Sequence, residues 1–256
     1  MRDIEITKRE ILISIVIVLL MLSVGFFISV NIHNNVSVGN EKYFKALKID
    51  NNPDMFNHAI NTEVGDIVSY GTFKANSAVS DSLIKGKYFS IIKIEEHYVM
   101  KTRIVTYTDA NGNMQTRTET YWEWEEVKRS QYNTDSFSYL GKEFEYEKVK
   151  FKNHKYNKTV SKGLLSNVRW EFRTIPVEFN ASLYSMAEGK TITKNELYSG
   201  QSIEELIHQK EKGADNAVVL FWIALMFVIV LVVGIFVAMD NKYINKNSYG
   251  NRRGRY

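Results

Sequence analysis

Hydrophobic and polar positions divide this chain into three regimes. Residues 11–30 and 217–239 are continuous apolar runs without one ionisable side chain. Each reaches the ~20 residues needed to cross ~30 Å of hydrocarbon, and neither carries the polar stripe of a surface helix. Between them, residues 31–216 hold short stretches that alternate with a period of two, the pattern of half-buried strands. The longest, Ile91 to Ser130, predicts a long β-hairpin around the turn Asp109-Ala110-Asn111-Gly112-Asn113, where Asn and Gly tolerate positive φ. Pairing Thr108 with Met114 places Arg103 opposite Glu119, Met100 opposite Trp122, Tyr98 opposite Trp124 and His97 opposite Glu125. Side chains alternate between the faces of a strand, so this register makes two faces. Tyr98, Met100, Ile104, Trp122 and Trp124 share one, expected to be the core side. Lys101, Arg103, Arg117, Glu119 and Glu123 share the other, as neighbouring opposite charges.

The flanking pattern fills in the rest. Residues 31–40 are polar and aperiodic and read as a linker; residues 41–49 suit two helical turns, which Asn51-Asn52-Pro53-Asp54 ends. Residues 66–73 predict a strand in which Gly71 marks a bulge or a close backbone approach. Strands are also expected at 137–140 and 144–151, around Gly141-Lys142. Val168, Trp170 and Phe172 alternate with charged residues, and the phase reverses at Thr174-Ile175-Pro176, as a bulge or a strand changing sheets would require. Ser202-Ile203-Glu204-Glu205 is a capping box opening a helix to about Lys212, with Gly213 to Asn216 separating it from the second apolar run. The expected fold is a β-rich (α+β) domain, an antiparallel sheet or sandwich with a long central hairpin, flanked by two transmembrane helices.

Composition sharpens this picture. Mean hydropathy is −0.25 despite the two apolar runs, so the 31–216 segment is strongly polar and forms one water-exposed domain. The first run exceeds the apolar length of a signal peptide and no small-x-small site follows it, which favours a retained signal-anchor over a cleaved leader. Lys8 and Arg9 flank the first span, and Lys242, Lys246, Arg252, Arg253 and Arg255 follow the second. Positive flanks stay cytoplasmic. The expected layout is a cytoplasmic N-terminus at 1–10, spans at 11–30 and 217–239, an extracytoplasmic domain at 31–216 and a basic cytoplasmic tail at 240–256, in the plasma membrane if the protein is bacterial. A net charge of +4, partly in that tail, does not argue for nucleic acid. With no cysteine, disulfides, thiolate catalysis and Cys-ligated metals are excluded.

Candidate chemistry is sparse. Glu95, Glu96 and His97 lie across from Glu123, Glu125 and Glu126 at the hairpin base, which is the best local cluster for acid–base or metal chemistry. One histidine with carboxylates makes only part of a zinc site, so a polar hairpin base is the plainer reading, and no cofactor is expected. Trp122 and Trp124 suit either an aromatic binding surface or a core. No P-loop, GxSxG, dinucleotide-binding or HExxH motif occurs. In the spans, Gly25-x-x-x-Ser29 and Gly234-x-x-x-Ala238 are spacings that let helices approach closely, so the expected partners are the bilayer and other proteins or further copies within it.

The order Gly65-Asp66-Ile67-Val68, Gly71, Ile94-Glu95-Glu96-His97-Tyr98, an Asn-Gly turn, Tyr121-x-x-Trp124 and Phe137 resembles the lumenal domain of the LUMA family of nuclear-envelope and endoplasmic-reticulum proteins. Glu96-His97 followed by a hairpin, tryptophans and a later Phe is also similar to the GIDE domain of the mitochondrial ubiquitin ligase MULAN. The resemblance covers roughly residues 65–151. It implies a membrane-tethered β-rich module for protein contacts or membrane organisation, and assigns no functional residue. The RING finger of MULAN needs cysteines this chain lacks, and LUMA carries further C-terminal spans. The expected function is therefore a non-enzymatic interaction or scaffolding module. The alternatives are a hydrolase or metal-binding domain at the His97/Glu cluster, and a membrane sensor whose short cytoplasmic ends would carry no effector domain.

Overall fold

A computed structural model of the chain describes residues 7–163 and 166–253, with the backbone alone from 243 onward. The side chains of Lys246, Arg252, Arg253 and Arg255 lie outside the described residues. The chain divides into two compact units, residues 46–206 and a second made of 1–45 with 207–256.

The second unit is a pair of long helices, α1 (Lys8–Lys45) and α3 (Ile203–Arg253). Both are long and apolar enough to cross a membrane. Residues 31–40, expected as a linker, continue α1, and Gly213 to Asn216 do not interrupt α3. Asparagines and Gly39 are poor helix formers, so tertiary contacts carry the helix through them. Asn40 Nδ2 donates to the Lys210 carbonyl at 2.9 Å, the Lys210 ammonium lies 4.4 Å over the Tyr43 ring, and His33 stands 3.6 Å from Asp215. At the opposite end Arg9 pairs with Asp240, and Asn241 donates to Glu10 at 3.0 Å. Gly25 and Ser29 are buried between these polar ends, and a Cβ at Gly25 would collide with the Leu225 side chain. Only the first small-residue spacing thus serves packing within the pair, since nothing lies within 4 Å of a Cβ at Gly234.

Among its described residues the 46–206 unit holds eleven strands: β1 (Leu47–Asp50), β2 (Gly65–Ala75), β3 (Val79–Asp81), β4 (Ile84–Thr108), β5 (Met114–Asn133), β6 (Ser136–Tyr139), β7 (Lys142–Glu145), β8 (Lys155–Ser161), β9 (Val168–Pro176), β10 (Glu178–Glu188) and β11 (Thr191–Ser199). They form a six-stranded sheet, β11-β10-β2-β6-β7 with β1 beside β2, and a five-stranded sheet, β3-β4-β9-β8 with β5 beside β4. Every pairing is antiparallel except β1 with β2. The expectation of a β-rich, mainly antiparallel domain between two long apolar helices is met.

Local chemistry explains several joints. The Asn-Asn-Pro-Asp segment ends strand β1, not a helix, since α1 stops at Lys45 and residues 47–50 pair with β2. It then starts another element, as Asn52 accepts from the Met55 N–H and Pro53 opens helix α2 (Pro53–Asn61). Leu140 and Gly141, both at positive φ, turn β6 into β7; Gly189 and Lys190 do the same between β10 and β11. Gly71 marks a close approach rather than a bulge, because β2 keeps a continuous register there while a Cβ would meet Leu140 at 2.8 Å and the Tyr139 ring at 3.2 Å. The phase reversal near Pro176 has the second anticipated cause, a strand changing sheets, because the bulge beside it has its extra residue, Phe89, on β4 and not in β9. The β4–β9 register shifts between Tyr88 and Ser90, and the chain then leaves the five-stranded sheet for the other as β10. The Ser202/Glu205 capping box forms, with reciprocal bonds of 3.0 and 3.2 Å.

The core is aromatic. Phe73 lies 4.1 Å from the Tyr139 ring and 5.3 Å from that of Phe179, both stacked, with Phe137 and Phe151 also against it. Phe56, Ala59 and Ile60 on one face of α2 belong to the same cluster. Tyr139 donates its hydroxyl to Ser69 at 3.0 Å, and burial raises its pKa.

Candidate functional site: the hairpin and its base

The turn that makes the hairpin is built by Asp109. Its Oδ1 accepts the Asn111 and Asn113 amides, both at 2.9 Å, which holds its carboxyl below the usual range. The strained position falls to Gly112, at φ 85°, while Asn111 needs no positive φ. From this turn the strands pair as the alternation requires: Thr108 with Met114, Arg103 with Glu119, Met100 with Trp122, Tyr98 with Trp124 and His97 with Glu125.

Below His97 the register breaks. Glu96 faces Glu126 and Glu95 faces Lys128, so Val127 is the extra residue of a bulge. The bulge, with strand alternation, divides the expected Glu/His cluster. On one face His97 Nε2 lies 2.9 Å from Glu95, and Trp170 Nε1 donates to the other Glu95 oxygen at 3.4 Å. The His97 contact first, and the Trp170 bond second, lower the Glu95 pKa. On the other face the opposed carboxylates of Glu96 and Glu126 each take an arginine. Arg169 donates to Glu96 at 2.7 Å, and Arg129 makes two bonds to Glu126, which lower its pKa. The Arg169 guanidinium also lies 4.1 Å from the Trp124 ring centre. Glu123 and Glu125 share Lys101, at 2.7 and 3.3 Å, and raise its pKa. Among the described residues no three His, Asp or Glu side chains converge on a point where a metal ion would sit. The cluster is a set of ion pairs on two faces.

The tryptophan face needs a correction. Trp122 is 54 % exposed, Met100 59 % and Ile104 77 %, so this face is not the core side. The reason is topological. Strand β9 pairs with β4 only as far as His97, and among the described residues no strand lies beyond it. Residues 98–108 and 114–124 therefore leave the sheet as a two-stranded ribbon, ~35 Å long at ~3.3 Å per residue. Its charged face is knitted by Arg103 and Arg117, which both bond Glu119 and hold its pKa low. Its other face has no charged residue of its own: Tyr98, Met100, Thr102, Ile104 and Thr106 stand opposite Trp124, Trp122, Thr120, Thr118 and Thr116. Tyr98 stacks on Trp122, ring centres 5.4 Å apart.

One polar constellation escaped the sequence reading. Ser90 is fully buried, and its Oγ lies 2.7 Å from both His154 Nε2 and Asn133 Oδ1. Tyr146 donates to the same hydroxyl at 3.4 Å. The amide oxygen of Asn133 only accepts, so it takes the serine proton and His154 donates through Nε2–H. That is the reverse of the transfer a serine nucleophile needs, and the cluster is a structural network. No spacing motif joins these residues, because three different segments bring them together. Burial lowers the His154 pKa from its ordinary 6.5. A histidine whose folded pKa is depressed contributes stability that is present above its unfolded value and is lost as pH falls below it. Thermal unfolding midpoints should therefore decline as pH drops from about 6.5 toward the folded pKa. His154→Gln, which has nothing to protonate, should flatten that stretch; an equal slope in the variant would refute the assignment.

No family model matches the chain, no curated protein is similar to it, and no solved structure resembles it. The functional reading rests on the geometry and on the sequence pattern. That geometry singles out the ribbon, an exposed aromatic surface that strand pairing holds rigid.

Proposed function

We propose that this chain is a membrane-tethered, non-enzymatic interaction module whose ribbon meets a protein partner at the outer or lumenal face of the membrane. The observation that carries this reading is the uncharged ribbon face. Large exposed Trp, Tyr and Met side chains on a rigid support are the composition of protein-binding hot spots, and charge is depleted at the centre of such interfaces. Two further features support it. The two apolar helices fit anchoring at both ends, with Lys8, Arg9 and Lys242 as cytoplasmic flanks. The shared order of glycines and aromatics with the LUMA lumenal domain and the GIDE domain points to the same class of module.

The test places a photo-crosslinking amino acid at position 104 in cells, with the protein in its own membrane. The expected product is one dominant protein adduct that disappears in Trp122→Glu, a variant that puts charge on the face without touching the core. Adducts to lipid alone, or none, would refute the proposal. Because the chain has no cysteine, a single cysteine in place of the exposed Asn111 also reports sidedness cleanly. It should react with a membrane-impermeant maleimide from the outer or lumenal side.

A further inference from the structure

We propose that the outer edge of β11 is a second binding site, which takes an extended acidic peptide segment of a partner protein. Strand β11 pairs with β10 along one edge, and among the described residues no strand pairs along the other. Residues 149–153 run past that free edge. Val149 and Phe151 are buried in the aromatic core, which turns the alternate residues Lys150 and Lys152 out to solvent. Two side-chain bridges join the segment to the strand: Asn195 Nδ2 donates to the Lys148 carbonyl at 2.6 Å, and Asn153 Nδ2 donates to Ser199 Oγ at 3.0 Å. A cleft of about 560 Å³ lies along these bridges, with Lys150, Lys152, Asn153, Asn195 and Leu197 in its wall.

The cleft asks for hydrogen-bond donors. The amide oxygens of Asn153 and Asn195 are both buried and accept nothing. The orientation of Asn195 is fixed, because its nitrogen must face the Lys148 carbonyl. Each unpaired buried acceptor costs ~1–3 kcal/mol, and an occupant of the cleft that brings N–H groups meets these two by shifting the asparagine side chains that now close them off from solvent. Asn195 and Ser199 are ~13 Å apart along the strand, a distance four residues of extended chain cover at ~3.3 Å each. An extended peptide presents N–H groups at that spacing and adds main-chain bonds to the free edge, the mode of β-strand addition. Charge selects among peptides. Lys150 and Lys152 offer two exposed ammonium groups, while Glu196, the one acid in the wall, accepts from the Tyr198 hydroxyl at 2.8 Å. Acidic side chains on the ligand complement this wall.

The full chain in phosphatidylcholine nanodiscs is panned against a random dodecapeptide phage library, and enriched peptides are titrated by fluorescence anisotropy and hydrogen exchange. Enriched peptides should be rich in Asp and Glu, slow amide exchange across Thr191–Ser199, and bind the K150E/K152E double variant about tenfold more weakly. Both lysines are exposed, so the variant should keep the parent's thermal midpoint. Neutral or basic peptides, affinity unmoved by K150E/K152E, no enrichment, or no protection of β11 because water alone satisfies the two asparagines would each overturn the proposal. A ribbon variant such as Trp122→Glu should leave peptide binding unchanged, which separates this site from the ribbon.

Discussion

Phe73→Ala will destabilise the 46–206 unit by about 3–5 kcal/mol, the range for removing a fully buried phenylalanine. The ring is at 0 % exposure in the middle of the core cluster, so no water reaches it and four aromatic neighbours lose contacts at once. Those neighbours sit on β6, β10 and the segment after β7, so truncation loosens the six-stranded sheet and the residues packed on it together. The surrounding strands are paired and cannot collapse into the gap. Near-UV circular dichroism of the full chain in micelles should show the thermal midpoint falling by about 10 °C. Trp122→Ala is the informative control. It removes a larger side chain, but one that is mostly solvated and stacks only within the hairpin, so its cost should stay within about 1 kcal/mol. Equal losses in the two variants would mean that the ribbon packs against something and that the core is misplaced.

The contrast between these two residues shows what sequence alone can and cannot carry. The hairpin register was legible down to single pairs, because the Asp109–Asn113 turn and the two-residue alternation are local and agree with each other. Alternation also separates the apolar face from the charged one. It does not say whether another layer covers the apolar face, since that depends on where β9 stops. The core was less visible. Phe73, Phe137, Phe151 and Phe179 come from separate segments, and β10 reads EFNASLYSMAE, with buried Ser182 and Ser185 in place of an apolar stripe. Helix α1 beyond residue 30 was hidden for a related reason: its stability comes from α3, not from its own residues. At the hairpin base the acidic and histidine residues were correctly placed as neighbours in the pairing. The Val127 bulge and Arg169, which arrives from β9, then turn them into ion pairs, and no local pattern announces either.

If the ribbon is an arm and not part of the core, it can be removed. Excising residues 100–122 and joining Val99 to Glu123 through Asn-Gly should leave the 46–206 unit folded while abolishing capture of the partner. The cut point follows from the hydrogen-bond phase. Tyr98 gives its N–H to the Asn167 carbonyl, away from β5, so Tyr98 and Trp124 are not the hydrogen-bonded pair. Val99 and Glu123 are, one step on, and the same parity reaches Asp109, whose N–H bonds the Asn113 carbonyl at 2.9 Å. A two-residue turn of positive-φ residues closes such a pair without splaying the strands. What remains at the stump is held from outside the hairpin, by Arg169 against Glu96 and over Trp124. The excised pairs contribute ~0.2–1 kcal/mol each, mainly to the ribbon's own order, so the unit's thermal midpoint should move by only a few degrees. Cross-linking from a site on the remaining fold should then recover none of the protein adduct seen with the intact chain. A truncated chain that keeps its adduct would put the partner-binding surface elsewhere on the domain. One that unfolds would show that the ribbon is structural, contrary to the exposure of both its faces.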